Sequence, residues 1–278
     1  LFVQRFPNTG VANILVDTVG TDKFTKLNVS STGTNRVQLE GNDAGEISLT
    51  DITVTGAGST TLSVDATNAV ITSLATVNAG TATGALTANI SASTKDVTFT
   101  GSAGKNTITF GNGNNNVTGG AADDSFTLGS GNNTVAGAAG NDRVIGTVAS
   151  FTASDSIDLG DGARDAIIYS DVATLNSTGV VAANKTILGG YKNIEVVGSS
   201  ANAVTAIDAG YFTQSIFELS GTNTAVAVTN VENDTVILRS GIVGATGGAG
   251  ISFSGALPNQ TLNLEIGGAA GLTFSANT

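Results

Sequence analysis

A nine-residue repeat runs without a gap from Gly101 to Ile145 and constrains the fold of this 278-residue chain more than any other feature. The five consecutive repeats are GSAGKNTIT, FGNGNNNVT, GGAADDSFT, LGSGNNTVA and GAAGNDRVI. The fourth place is always Gly or Ala, the sixth is Asn or Asp, and the eighth is Ile, Val or Phe. A single match would carry little weight, but five in register predict a solenoid in which each coil packs on its neighbours.

The chemistry of each place predicts its position in the coil. Small residues, which predominate at places one to four, allow a tight turn, because they permit positive φ and close backbone approach. The apolar residue at place eight should point inward from a short strand, and the residue at place six should face the next coil. If a coil takes two repeats, alternate repeats stack. We predict an Asp edge with Asn106, Asp124 and Asp142, and an Asn edge with Asn115 and Asn133.

The Asp edge has the oxygen ligands that calcium requires. Calcium takes six to eight hard oxygens and combines carboxylates with backbone carbonyls. Asp124 and Asp142, one coil apart, can supply two carboxylates to one ion, whereas the amides of the Asn edge lack that charge. We therefore predict a calcium-bearing Asp edge and an opposite edge held mainly by an Asn ladder.

Further acidic residues follow the repeats at longer spacings. Asp155 precedes the apolar Ile157, and the stretch that contains Asp165 reads as one more repeat with an inserted residue. Alternation places Asp165 on the Asp edge, where a second ion is expected. Seven of the 22 acidic residues fall between Asp123 and Asp165. Such a cluster repels itself without counter-ions, which favours a metal-loaded state.

Composition excludes several function classes. The net charge of −11 and the scattered 11 basic residues argue against nucleic acid as a partner. Cysteine and histidine are absent, which removes disulfides, thiol nucleophiles, the commonest general base and the usual zinc sites. The sequence contains no apolar run of about 18 residues, so it predicts no membrane-spanning helix. The chain starts without Met, so we expect a fragment or a processed chain, and no signal peptide is visible at Leu1.

The fold class predicted is all-β, with irregular coils on both sides of the repeats. Residues 1–100 read as an irregular β-solenoid whose first 25 residues, with Phe2, Phe6 and Phe24, form an end cap. Residues 101–167 read as a calcium-binding β-roll, and residues 168–278 as an irregular β-solenoid or a β-sandwich. Short strands are predicted throughout, Thr186–Leu188 among them, and helix should be scarce.

The repeats resemble those of the RTX family, which are secreted proteins of Gram-negative bacteria. A Tyr-Lys-Asn-Ile-Glu-Val-Val segment (191–197) and a Thr-Asn-Val-Glu-Asn-Asp-Thr-Val-Ile segment (229–237) follow the repeats. This order of parts resembles the lattice-forming region of RTX-type surface-layer (S-layer) proteins. The resemblance implies a right-handed parallel β-roll with Ca²⁺ bridging loops of neighbouring coils. It also implies type I export, calcium-driven folding outside the cell, and assembly with copies of itself into a two-dimensional coat. Contact with cell-surface polysaccharide would require an anchoring domain outside this chain.

Carried over by position, the family pattern names the metal ligands. Asp124 and Asp142 would be side-chain ligands, and places two and four of the same repeats would offer backbone oxygens. Ala122 and Ala138 stand where the family prefers Gly, so strain is expected in those turns. The full set of candidate ligands is Asp124, Asp142, Asp165, Gly120, Ala122, Ala138, Gly140, Asn106, Asp155, Asn133 and Asn115.

Two other functions compete with the structural one. An RTX-type secreted adhesin would use a flat threonine face, as Thr53-Val-Thr55 and Thr81-Ala-Thr83 suggest, to bind ice or glycan. Threonine is also simply common on exposed strand positions. A polysaccharide-active enzyme would use paired carboxylates, but the chain has three Tyr and no Trp to hold a sugar. No G-x-S-x-G elbow appears, and no catalytic residue is predicted.

Overall fold

The computed structural model describes residues 2–3, 12–15, 24–40, 47–64, 71–202, 204–220, 225–230, 235–241, 250–254, 261–267 and 273–276. Contacts divide the chain into two compact units. The first unit comprises Leu1–Val144 and Ser154–Ala163, and the second comprises Ile145–Ala153 and Arg164–Thr278. The domain boundaries at residues 100 and 167 stay a prediction.

The first unit consists of two parallel sheets, and successive strands alternate between them. Its strands are β1 (Phe2–Val3), β2 (Ala12–Leu15), β3 (Phe24–Ser30), β4 (Thr34–Glu40), β5 (Ile47–Gly56), β6 (Ser59–Val64), β7 (Thr76–Ala82), β8 (Leu86–Ile90), β9 (Thr98–Thr100), β10 (Asn106–Phe110), β11 (Asn116–Thr118), β12 (Ser125–Thr127), β13 (Thr134–Ala136), β14 (Arg143–Gly146) and β15 (Ser156–Asp158). Odd-numbered strands from β1 to β15 form one sheet in sequence order, and even-numbered strands from β2 to β14 neighbour one another in the other. Each coil therefore contributes one strand to each sheet.

The repeats alternate between the two sheets as predicted. Ile108 of repeat one pairs in register with Phe126 of repeat three, and Val117 of repeat two pairs with Val135 of repeat four. All four side chains are at most 1% exposed. Since residues on a strand point alternately to its two faces, this places the apolar residue at place eight inside the coil. A coil of two repeats is confirmed.

Aromatic side chains fill the interior between the two sheets. The rings of Phe99 and Phe110 meet edge to face with centroids 5.7 Å apart, and those of Phe99 and Phe126 are 5.9 Å apart. All three are buried. Offset and edge contacts of this kind stabilise a core beyond the apolar area that they bury.

The N-terminal strands occupy the ends of the two sheets. β1 pairs with β3 and β2 pairs with β4, both in parallel. Phe2 and Phe24 lie in these strands, whereas Phe6 lies outside the described residues. This strand pairing does not test whether the first 25 residues cover the end of the solenoid, so the end cap stays a prediction.

The second unit repeats the parallel arrangement with longer connections. Its strands are β16 (Ala166–Tyr169), β17 (Thr174–Leu175), β18 (Val196–Ser199), β19 (Ala206–Asp208), β20 (Ile216–Leu219), β21 (Ala225–Thr229), β22 (Thr235–Gly241), β23 (Gly250–Ser254), β24 (Thr261–Gly267) and β25 (Thr273–Ala276). Even-numbered strands neighbour one another in sequence order, and odd-numbered strands form a five-stranded sheet. Strands pair in parallel in both sheets, for example β18 with β20 and β19 with β21.

One predicted strand is wrong: Thr186–Leu188 ends the helix α1, Ala182–Leu188. The sequence Ala-Ala-Asn-Lys contains good helix formers, and tertiary contacts fix the helix. The Asn184 side chain is buried and donates to the carbonyl oxygens of Val148 at 2.7 Å and Phe151 at 3.3 Å. These bonds attach the helix to the short 3-10 helix Val148–Ser150 and to Phe151, which follows it. A short local sequence pattern cannot predict such a contact.

The protein is thus nearly all-β, and its parallel sheets form a β-solenoid that carries the nonapeptide repeats. In the part of the chain that the structure describes, no helix is long and apolar enough to cross a membrane.

Candidate metal centre

The side chain at place six of every repeat is buried. Asn106 and Asp142 are 0% exposed, and Asn115, Asp124 and Asn133 are 1% exposed. Burial of a carboxylate is unfavourable unless hydrogen bonds, an opposite charge or a metal compensates for the lost water. The polar side chains at place six therefore lie inside the coil, and the neighbouring polar groups must compensate for their burial.

On the Asp edge, the carboxylates of Asp124 and Asp142 reach back to the preceding coil. Asp124 Oδ1 accepts hydrogen bonds from the backbone N–H of Asn106 at 2.6 Å and from its Nδ2 at 3.0 Å. Asp142 Oδ1 accepts from the backbone N–H of Asp124 at 2.7 Å. The three residues that were predicted to share this edge are brought together in one hydrogen-bonded series.

The second carboxylate oxygens of this edge lie against the turns. Asp124 Oδ2 accepts from the Gly120 N–H at 2.7 Å. Asp142 Oδ2 is buried and accepts no hydrogen bond, although the residue has other polar interactions. It lies so close to Gly137 that a Cβ at that position would collide with it. Place one of repeat five must therefore be glycine for the carboxylate to occupy the turn.

The Asn edge contains the predicted ladder. The Val97 N–H donates to Asn115 Oδ1 at 3.2 Å, and the Asn115 N–H donates to Asn133 Oδ1 at 3.2 Å. Asp155 ends the series, because its Oδ1 accepts from the Asn133 N–H at 2.6 Å. Asp155 thus lies on the Asn edge rather than beside Asp124 and Asp142.

The residues at place five form a second, outer ladder that the sequence did not predict. The Asn132 N–H donates to Asn114 Oδ1 at 2.8 Å, and the Asn141 N–H donates to Asp123 Oδ1 at 2.7 Å. In this ladder the N–H of the later coil donates to the side chain of the earlier coil. At place six the direction is opposite, because the N–H of the earlier coil donates to the side chain of the later one. All four residues are exposed. The sequence feature that could have predicted this ladder is the recurrence of Asn and Asp at place five.

The backbone candidates of the Asp edge lie in the turns between coils. The Gly120 carbonyl accepts from the Ala139 N–H at 3.3 Å, and the Ala138 carbonyl accepts from the Asp161 N–H at 2.8 Å. Each carbonyl oxygen has a second lone pair that these bonds leave available. Ala122 and Gly140 lie against each other, since a Cβ on Gly140 would collide with the Ala122 carbonyl group.

The strain expected at alanine is present at one of the two positions. Ala138 has φ of 84°, and Gly140 in the same turn has φ of 113°. Left-handed backbone costs an alanine about 1 kcal/mol or more relative to glycine. Ala122 is not among the described residues with positive φ, so its turn tolerates the side chain.

Asp165 lies in the second unit. Its side chain is 0% exposed, and its backbone N–H donates to Glu195 Oε2 at 3.0 Å. Its carbonyl oxygen accepts from the N–H groups of Glu195 and Val196. That Asp165 adds a ligand to the Asp edge stays a prediction.

Burial sets the electrostatics of the Asp edge. It raises the pKa of the Asp124 carboxyl above its usual value, against the opposing effect of the Asn106 and Gly120 hydrogen bonds. The neighbouring Asp123 carboxylate raises the pKa further. The charged form of Asp124 is therefore disfavoured by the fold, and a nearby cation would reverse that preference.

The donor set fits calcium. Among the described residues, no three acidic side chains lie close enough together to form a site from carboxylates alone. An ion here would draw on two carboxylates, from Asp124 and Asp142, together with backbone carbonyls at places two and four. That combination of hard oxygen ligands is the one that calcium prefers.

A family model of the RTX calcium-binding nonapeptide repeat matches residues 84–117 and 111–144, with four copies. The matched region contains the Asp and Asn edges from Asn106 to Asp142. Searches of curated proteins and of solved structures gave no match. The chain thus carries RTX calcium-binding repeats, which are typically structural rather than catalytic.

Proposed function

We propose that this chain is a structural subunit of a bacterial surface layer, which calcium stabilises and which assembles with copies of itself into a two-dimensional lattice on the cell surface. The observation that supports it best is the stack of nonapeptide turns with Asp124 and Asp142 buried in adjacent coils. The order of segments around the repeats, which resembles S-layer proteins, supports the coat rather than another secreted role.

Calcium would control folding through the buried carboxylates. When bound, the ion supplies positive charge to oxygens that would otherwise repel one another. In a cytosol poor in calcium, the cost of burying Asp124 and Asp142 opposes folding and keeps the chain competent for export. Outside the cell, calcium binds only the folded turns, so its binding free energy adds to stability.

The first unit offers a regular polar surface for contacts between copies. Thr98, Asn116 and Thr134 pair in register on neighbouring strands, and all three side chains are exposed. A rigid face of short side chains loses little conformational entropy when a second copy packs on it. Parallel coils stiffened by calcium would keep this face constant across a lattice.

Assembly is the property to test. We expect the purified full chain to form ordered sheets, visible by negative-stain electron microscopy, in millimolar calcium and to lose them in a chelator. Magnesium at the same concentration is the control, because it accommodates fewer protein ligands than calcium. A chain that binds calcium yet stays monomeric at every concentration would contradict the surface-layer assignment.

The second candidate is an adhesin segment that binds ice or glycan. The exposed rows of Thr and Asn side chains on the first unit favour the adhesin, because their regular spacing suits repeated hydrogen bonds to a ligand. Thr81 and Thr83 are exposed, as a threonine face requires, whereas Thr53 and Thr55 are half-buried. Monomers that bind a glycan array or halt ice growth would favour the adhesin over the coat. Turnover of a polysaccharide would favour an enzyme.

A further inference from the structure

The amide nitrogens of the Asn turns meet the kinds of oxygen that a calcium ion would use. Asn106 Nδ2 donates to the carbonyl oxygens of Ser102 at 3.1 Å and Gly104 at 3.0 Å, and to Asp124 Oδ1 at 3.0 Å. Ser102 and Gly104 hold places two and four of repeat one. Two carbonyl oxygens and one side-chain oxygen of the next coil thus converge on a single NH₂ group.

The same arrangement recurs on the Asn edge. Asn115 Nδ2 donates to the carbonyl oxygens of Gly111 at 3.3 Å and Gly113 at 2.9 Å, and to Asn133 Oδ1 at 3.0 Å. Asn133 Nδ2 donates to the Gly131 carbonyl, again at place four, at 2.9 Å. The recurrence on both edges shows that the turn itself gathers these oxygens, whichever residue occupies place six.

An Asp turn has the same frame without the amide nitrogen. In repeat one the N–H at place two, from Ser102, donates to Asn106 Oδ1 at 3.0 Å. In repeat three the equivalent N–H, from Gly120, donates to Asp124 Oδ2 at 2.7 Å. The remaining side-chain atom is therefore a donor nitrogen in Asn106 and an oxygen in Asp124. That oxygen, Asp124 Oδ1, accepts from the Asn106 N–H at 2.6 Å and from Asn106 Nδ2 at 3.0 Å. Unlike an amide nitrogen, a carboxylate oxygen has no hydrogen to donate to the carbonyl oxygens of its own turn.

We infer that asparagine at place six replaces calcium: its NH₂ group neutralises the converging oxygens internally, so only turns with Asp at place six take the ion. The inference rests on the proposed calcium-dependent folding and specifies which turns carry it. Repeats one, two and four would be complete without metal, and repeats three and five would require it. One carboxamide in place of one carboxylate would then decide whether a coil depends on calcium.

The first test converts Asn turns into Asp turns. We expect the full chain with Asn115→Asp and Asn133→Asp to bind at least one more calcium ion than wild type, by metal analysis after equilibrium dialysis. Its melting temperature in chelator should fall below that of wild type, and calcium should restore it. The matched control, Asn114→Asp with Asn132→Asp, adds the same charge at exposed place five and should change neither quantity.

The second test converts Asp turns into Asn turns and does not depend on the first variant folding. Asp124→Asn with Asp142→Asn should bind fewer calcium ions than wild type and melt at a higher temperature than wild type in chelator. Asn at place six already makes the required bonds in Asn115 and Asn133, so the fold has a precedent for it.

The outcomes separate this inference from the proposed function. If wild type binds calcium but the Asn-to-Asp variant gains no ion, or the Asp-to-Asn variant keeps the wild-type number, the inference is wrong and the proposed function stands. If wild type binds no calcium and melts identically in calcium and in chelator, the proposed function is wrong and the inference falls with it.

Discussion

The turns with Asp at place six and the turns with Asn at place six differ in a single atom of that side chain. In both Asn133 and Asp142 that side chain is buried and accepts a hydrogen bond from the place-six N–H of the preceding coil. On the Asn edge the second terminal atom donates to carbonyl oxygens, whereas the carboxylates of Asp124 and Asp142 have no hydrogen to donate. An Asn turn thus supplies the donor for its own carbonyl oxygens, whereas an Asp turn does not, and the proposed calcium ion would take that place.

Calcium removal should produce the largest difference between the edges. At calcium a hundredfold above the dissociation constant, each occupied site adds about 2.7 kcal/mol to the free energy of unfolding. In chelator, we expect the Gly120 and Asp124 amides to exchange hydrogen faster, while the Asn115 amide stays protected. Hydrogen exchange read by mass spectrometry or NMR checks this. Equal loss of protection on both edges would remove the distinction.

Asp124→Ala should be the most damaging substitution in the turns when calcium is present. It deletes the acceptor of the Asn106 and Gly120 hydrogen bonds and one proposed ligand. Since hydrogen bonds to charged groups contribute about 1.5–3 kcal/mol each, we expect a loss of about 3 kcal/mol or more in calcium and a smaller loss in chelator. Asp142→Ala should behave likewise. Denaturant titrations in both conditions measure it; an equal loss in each would contradict the assignment.

Asn115→Ala should cost the same with and without calcium. It leaves the Val97 N–H and the carbonyl oxygens of Gly111 and Gly113 without their buried partner. We expect a loss of about 1–3 kcal/mol, the cost of unsatisfied buried polar groups. Chemical unfolding in calcium and in chelator gives the two values. A loss of stability that appears only in the presence of calcium would indicate that the ion binds at the Asn edge.

Ala138→Gly should stabilise the Asp edge by relieving its left-handed backbone. The φ of 84° favours glycine, while the added freedom of the unfolded chain offsets part of the gain. We expect a net increase of about 0.5–1 kcal/mol in the free energy of unfolding. Ala122→Gly, where no positive φ occurs, is the matched control and should be neutral or destabilising. Thermal melts of the two variants show whether each substitution raises or lowers the stability.

Mild acid should have the smallest effect, and its sign should depend on calcium. Because the fold raises the pKa of Asp124, the folded chain binds its proton more tightly than the unfolded chain. In chelator, stability should therefore rise as the pH falls through the raised pKa, and the gain should stop near the ordinary value of 3.8. In calcium, acid should destabilise, because protons displace the ion. Asp124→Asn in chelator should lose this part of the pH response.

Much of the solenoid followed from periodicity. The apolar place eight and the small residues at places one to four were enough to predict two repeats per coil and the division into two edges. The sequence of β7, Thr-Val-Asn-Ala-Gly-Thr-Ala, has no strong alternating signal, and its pairing with β5 and β9 forms the strand. Helix α1 was missed because the side-chain bonds of Asn184 span more than thirty residues of sequence.

The sequence by itself determined which residue types recur at each place, and therefore that Asp124 and Asp142 would stack one coil apart. Tertiary structure alone decided where the hydrogens of those turns point. At place five the N–H of the later coil donates to the side chain of the earlier coil, and at place six the N–H of the earlier coil donates to the side chain of the later one. These directions depend on N–H groups that only the stacked coils bring within reach of a side chain. Spacing along a chain fixes the neighbours of a residue in a solenoid, but the donors and acceptors that it meets are set by the backbone of the next coil.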